Sequence, residues 1–145
     1  MPSPFQTRQI ARQIGGPTYN PTMLAATKVL TSGDDGQIWL IDLDATFTIT
    51  LPKLSTVSAG WNATFHNNDE GSGAVTVQPA TGDEDTMYGH KIDITDTVAI
   101  ADSDAIVFAA ASKLADRLYC ESDGTRWYVA AMSTADNGHT VTDTD

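Results

Sequence analysis

The sequence predicts an all-β fold: a small antiparallel β-sandwich or barrel-like, jelly-roll-like module with an extended N-terminal arm. Three observations predict it. Short apolar–polar alternations recur from Gly36 to Met132, separated by turn residues at intervals of roughly 8–12 residues, the spacing of sandwiches and barrels. The longest alternation places Trp39, Ile41, Leu43, Ala45, Phe47, Ile49 and Leu51 at period two, with Asp42, Asp44, Thr46, Thr48 and Thr50 between them. One apolar and one polar face is the signature of a half-buried strand. Near the end, Ser122-Asp123-Gly124 separates two alternating runs, and Asp-Gly in that setting signals a hairpin because both residues tolerate positive φ.

The elements follow in order. Residues 1–27 are broken by Pro2, Pro4, Gly15-Gly16-Pro17 and Asn20-Pro21 and read as an arm rather than as core. Between the breakers, Ile10 and Ile14 are four apart, compatible with a turn or two of amphipathic helix or with an arm that orders on a partner. Lys28 to Thr31 is a short strand, followed by a turn through Gly33 and Gly36. The long alternation from Trp39 has room for a bend at Asp42 to Ala45 and ends at Pro52, which lacks the N–H a ladder requires. Ser55 to Gly60 is a loop. Trp61, Ala63 and Phe65 form a strand, Asn67 to Gly73 a turn cluster, and Ala74 to Gln78 a strand with Val75 and Val77 inward. Pro79 to Asp85 is loop, and Met87 to Gly89 fits no single pattern. Ile92 with Ile94, and Val98 with Ile100, are two short strands split at Thr95-Asp96. Asp102 to Asp104 marks a turn before the strand Ala105 to Ala111, and Ser112 to Asp116 fits a helical turn or a loop. Arg117 to Glu121 and Thr125 to Ala131 are the hairpin arms. Residues 28–132 are therefore the β-module. Residues 133–145, with Val141 as the one aliphatic side chain besides alanine, read as a flexible polar tail. No fixed-period repeat is legible, so a solenoid is not predicted.

Charge divides the chain. Residues 1–33 contain Arg8, Arg12 and Lys28 and no acid, while the rest holds five basic and nineteen acidic residues: +3 against −14, together the net −11. An acidic body argues against binding nucleic acid, whose phosphates need clustered Lys and Arg. No run approaches the roughly 20 apolar residues of a membrane span, and no signal-peptide pattern occurs in positions 1–15, so a membrane partner is not expected and synthesis in the cytosol is. Cys120 is the single cysteine, which excludes an intramolecular disulfide.

The segments Thr48 to Pro52 (TITLP), Gly60 to Asn67 (GWNATFHN), Gly73 to Pro79 (GAVTVQP), a loop near Gly89, and Ser122 to Val129 (SDGTRWYV) follow one another in an order that resembles a β-module of tailed-bacteriophage virion proteins. The resemblance covers about residues 37–131 and rests on residue classes. It implies a virion structural protein assembling as a homotrimer, of the kind found in tail fibres, spikes and capsid decoration (cement) proteins. A short chain with one β-module and an arm looks more like a decoration protein on the outside of the head, with the major capsid protein as partner. The alternative is a tail-fibre or receptor-binding component that recognises host surface glycan. In the decoration reading, Phe5, Ile10 and Ile14 are apolar anchors of the arm, and Arg8 and Arg12 meet capsid carboxylates. Tyr119 and Tyr128, opposite the inward positions of their strands, are candidates for the trimer interface.

No catalytic residues, cofactor or metal site are predicted. Asp83-Glu84-Asp85 lacks the spacing of an EF-hand loop and reads as a solvated loop. Asp42 with Asp44, and Asp102 with Asp104, read as turn-forming and solubilising charges rather than as an acid–base pair, which needs unlike environments. His66, His90 and His139 have no ligand spacing; His66 reads as exposed and His90 as a loop residue. Cys120 has no neighbouring base in the sequence pattern and reads as a buried thiol. No nucleophile elbow or phosphate-binding loop occurs, and the chain is read as a non-enzyme. Trp39, Trp61 and Trp127 are assigned to the core.

Overall fold

Residues 21–144 are described by the structure, a computed structural model. Twelve strands follow in chain order: β1 (Thr22–Leu24), β2 (Lys28–Val29), β3 (Gln37–Ile41), β4 (Phe47–Thr50), β5 (Asn62–Asn67), β6 (Val75–Gln78), β7 (Met87–Ile92), β8 (Thr97–Ser103), β9 (Ala105–Phe108), β10 (Arg117–Ser122), β11 (Trp127–Met132) and β12 (His139–Thr142). Single 3₁₀ turns lie at Ser32–Asp34 and Leu54–Thr56. The strands form a broad seven-stranded sheet, ordered β1-β3-β5-β10-β11-β7-β8, and a narrow five-stranded sheet, ordered β12-β9-β6-β4-β2. The two sheets pack as a β-sandwich, the predicted fold class.

The pairing is mixed rather than wholly antiparallel. From β1 to β6 each strand switches sheet, so a strand and the next strand in its own sheet run the same way: β1, β3 and β5 are parallel in the broad sheet, β2, β4 and β6 in the narrow one. A parallel pair needs a long crossover, and here the crossover is a strand of the opposite sheet. The first half is thus a short coil wound around the core. Its turns are unequal: Thr22 to Trp39 spans 17 residues, Lys28 to Ile49 21, Gln37 to Ala63 26 and Phe47 to Val75 28. Unequal loops hide the winding from any search for a fixed period. In the second half, β7–β8 and β10–β11 are antiparallel hairpins. β10 lies antiparallel to β5, β11 parallel to β7, and β9 joins β6 to β12 antiparallel.

The long alternation keeps one face inward across a change of sheet. Trp39, Ile41, Leu43, Phe47, Ile49 and Leu51 are all buried, although β3 and β4 belong to different sheets. Its bend lies where the sequence allows one. The carboxylate of Asp42 accepts from Asp44 N at 2.9 Å, and that of Asp69 from Leu43 N at 2.7 Å. From the broad sheet, Phe65, Leu118, Cys120, Trp127 and Val129 meet Val75, Val77, Ile106 and Phe108 of the narrow one. Full burial of such side chains is worth about 1.5–3 kcal/mol each. Trp61 and Trp127 pack edge to face, centroids 5.4 Å apart, the arrangement favoured by the aromatic quadrupole. All three tryptophans and Cys120 are buried, as assigned from the sequence. Two glycines permit close crossings. A Cβ on Gly73 would lie 2.2 Å from Ala45 O, and one on Gly89, at φ 155°, only 1.8 Å from Val129 O in the neighbouring strand.

Three expectations are corrected. The segment 133–145 is not wholly a flexible tail: β12 pairs with β9 from His139↔Phe108 to Thr142↔Ala105, with His139 buried and Val141 packed against the core. The boundary at residue 27 falls too late, since β1 is the edge of the broad sheet, Leu24 is buried, and Leu24 O accepts from Asp42 N at 3.0 Å. Finally, Met87 to Gly89 belongs to strand β7, so His90 is a strand residue rather than a loop one.

Candidate functional surfaces

Strand register determines what each outer face presents. On the broad sheet, one row reads Met23, Leu40, His66, Arg117, Met132, Ile92, Thr97 across all seven strands. The next reads Ile38, Thr64, Tyr119, Ala130, His90, Ala99. A third holds Asn62, Glu121, Tyr128 and Tyr88. Tyr119 is 36% and Tyr128 46% exposed, so both candidate interface tyrosines stand on this face, in adjacent rows. Met23, Ile38, Ile92 and Met132 are exposed beside them. Glu121 is the one carboxylate among the paired outward positions of these rows, and its side chain accepts from Tyr119 OH at 3.2 Å. Burial and the adjacent Glu121 raise the Tyr119 phenol above its ordinary range. Tyr88 OH donates to Asp102 at the margin, where β8 bulges. His66 is half-buried; desolvation first, then neighbouring Arg117, lowers its pKa.

The outer face of the narrow sheet is different. Thr48, Thr76, Val107 and Thr140 form one row, and Val29, Thr50, Gln78, Ala105 and Thr142 the next. It is neutral, rich in hydroxyls and poor in large apolar groups. Tyr119 and Tyr128 thus face one side of the sandwich and the threonine-rich rows the other. At one end of the threonine face a hollow of about 430 Å³ is lined by Thr76, Gln78, Glu84, Asp104, Thr142 and Thr144, among others.

The carboxylates mostly shape loops. Asp93 and Asp123 close the two hairpins in the same way. Asp93 Oδ1 accepts from Thr95 N, Thr95 Oγ1 and Asp96 N, and Asp123 Oδ1 from Thr125 N, Thr125 Oγ1 and Arg126 N, all at 2.7–3.1 Å. The Thr125 N–H leads the donors that hold the Asp123 carboxyl down at about 2. Asp83, read from sequence as solvated, accepts from Leu54 N at 2.7 Å and starts the 3₁₀ turn there. Carboxylates of Asp42, Asp44 and Asp69, and of Asp85, Asp104 and Asp143, come within 4.8 Å of one another. Of these, Asp42, Asp69 and Asp104 accept hydrogen bonds from backbone N–H groups of Asp44, Leu43 and Thr144.

One buried polar cluster escaped the sequence reading. The Asp116 carboxylate, 1% exposed, accepts from Ser112 Oγ at 3.1 Å, Lys113 N at 2.8 Å, Ser133 Oγ at 2.6 Å and Thr134 N at 2.8 Å. Burial opposes its ionisation, but these donors, Lys113 N first, hold the carboxyl below its usual range. His139 lies behind it, fully buried and edge-on to Phe108 at 4.5 Å. Neither ring nitrogen has a hydrogen-bond partner among the described residues. Serine, aspartate and histidine therefore share one region without a relay: the aspartate is spent on serine, threonine and backbone donors, and the imidazole hydrogen-bonds to none of them. Cys120 is buried and its thiol is pushed far above the thiolate range, as an inert core residue requires.

The arm residues Phe5, Arg8, Ile10, Arg12 and Ile14 lie outside the described residues. No family model matches the chain, and no curated protein matches it. No helix among the described residues is long and apolar enough to cross a membrane.

Proposed function

We propose that this is a non-enzymatic structural protein of a tailed-phage virion, a decoration protein that binds the outside of the head as a homotrimer and stabilises the shell. The observation that carries the reading is the division of charge over this fold: an acid-free N-terminal segment joined to a strongly acidic sandwich. The acid-free stretch runs on through β1 at the rim of the broad sheet, which suits an anchor attached at one edge of a rigid body. The resemblance in residues 37–131 supplies the virion context. Anything that binds only the assembled shell stabilises it by linkage, and several anchors on one oligomer add avidity, so each needs little affinity alone. Phe5, Ile10 and Ile14 supply the apolar contacts, and Arg8 and Arg12 pair with carboxylates of the major capsid protein. Deleting residues 2–16 leaves a folded, soluble oligomer that no longer decorates heads in a co-sedimentation assay. Undiminished head binding by that deletion overturns the anchor.

A second reading, a tail-fibre or receptor-binding component, is favoured by one observation. The hollow on the threonine face offers hydroxyls, an amide and carboxylates, groups that hydrogen-bond sugars. A glycan array separates the readings. Specific binding that is lost in Gln78→Ala favours the fibre component, and no binding leaves the decoration role.

A further inference from the structure

We infer that copies of this chain meet through the outer face of the broad sheet, centred on Tyr119, and that the threonine face stays free. The inference rests on the proposed reading of a self-assembling structural protein and assigns the surface by which it assembles.

Three features of the face support it. The first is its apolar content. The three rows, crossing seven, six and four strands, gather exposed apolar side chains on one face, and grouped exposed apolar surface marks an interaction site. Met23, Ile38, Ile92, Tyr119, Tyr128 and Met132 are the exposed large side chains in these rows. The threonine face shows only Val29 among the exposed large apolar groups.

The second is charge. Each copy carries a net −11, so two copies repel wherever their acidic surfaces approach. The rows around Tyr119 contain one carboxylate, Glu121, and present Arg117, His66 and His90, while Asp123 and Asp102 accept from the hydroxyls of Tyr128 and Tyr88 at the margin. Two copies meet here at low electrostatic cost, with Arg117 on the same face to offset Glu121. A basic partner would instead choose the acid-rich loops.

The third is self-complementarity. Tyr119 stands on the middle strand of the seven, with small neighbours Thr64 and Ala130 on either side in its row. A tyrosine between two shallow positions gives each copy a knob and a hole. On the same strand and face, Arg117 lies two residues before Tyr119 and Glu121 two residues after. Three copies that turn this face to a common three-fold axis, with the strand running around it, bring each Tyr119 to the axis and lay the Arg117 of one copy beside the Glu121 of the next.

Sedimentation velocity of the full chain over a range of concentrations tests this. The wild type sediments as an oligomer. Ala130→Asp, which puts a carboxylate at the centre of the patch, and Arg117→Glu each shift it to monomer. Thr76→Asp on the opposite face leaves the oligomer intact, and the double variant Arg117→Glu/Glu121→Arg restores it. Circular dichroism checks that each variant is folded. Should Ala130→Asp not fold, Arg117→Glu, at an exposed position, carries the test with its rescue. An oligomer broken by Thr76→Asp and untouched by Arg117→Glu overturns the assigned face and leaves self-assembly standing. A wild type that is monomeric at every concentration overturns both. Head binding by the arm is read separately, in the co-sedimentation assay.

Discussion

At the scale of single residues, His139 has the largest calculable consequence. Burial first, opposed by Asp116 and reinforced by Lys91, lowers its pKa to about 4. Lys91 itself is paired with Asp93 at 3.2 Å. An unfolded chain titrates histidine near 6.5. Between those values the unfolded state takes up a proton that the folded state refuses, so stability is full above about pH 6.5 and falls as the pH drops towards 4. The loss from this one group amounts to at most about 3 kcal/mol. His139→Phe removes it: denaturant midpoints measured from pH 7 to pH 4 flatten, while the wild type declines. An equal decline in both proteins would assign the acid sensitivity elsewhere. Nothing local marks this histidine as buried. Its sequence neighbours are Gly138 and Thr140, and the burial comes from Phe108 on β9, thirty-one residues upstream. Trp39, Trp61, Trp127 and Cys120 were legible because each sits in its own alternating run.

At the scale of elements, local pattern revealed the strands and hid their partners. The β10–β11 hairpin was readable from Asp123-Gly124, and the structure adds that Asp93-Ile94-Thr95 closes β7–β8 with the same hydrogen bonds. Parallel pairing in β1 to β6 left no such mark, because the strands that pair are separated by one in the other sheet. The closing strand β12 was missed because four residues with two threonines make a weak alternation. Its contribution is measurable. Truncation after Ser133 uncovers Phe108, removes Val141 and His139 from the sandwich, and leaves the edge of β9 unpaired. It costs roughly 3 kcal/mol by lost apolar burial, seen as a lower denaturant midpoint. A midpoint unchanged on truncation would show that β12 adds nothing to the fold. A bare β9 edge also invites strand pairing between molecules, so the truncated protein aggregates at concentrations the intact chain tolerates.

At the scale of the whole molecule, the sandwich is two-faced, and each face suits a different task. The sequence placed Tyr119 and Tyr128 outward from alternation alone. It did not place Met23, Ile38, Met132 and Ile92 beside them, because strand order and register bring those positions together from four separate strands. The charge division was legible at once. That the acidic residues avoid the middle of one face was not, since it depends on which strands are neighbours. The arm deletion and the Ala130 and Arg117 variants therefore probe separate properties: attachment to a shell and attachment to another copy.

The coil of β1 to β6 also determines where the chain-entropy cost of this topology is concentrated. Its ladder partners lie 17 to 28 residues apart, and closing loops of that length differs little in cost from one to the next. The two hairpins close over shorter distances still. The coil joins the rest of the broad sheet where β10 pairs with β5, His66 with Arg117 and Asn62 with Glu121, 51 to 59 residues apart. Long-range pairings of this kind slow folding. The first half is therefore a locally wound piece, and the strand that carries Tyr119 fastens it to the second half in the broad sheet, as β9 does through β6 in the narrow one.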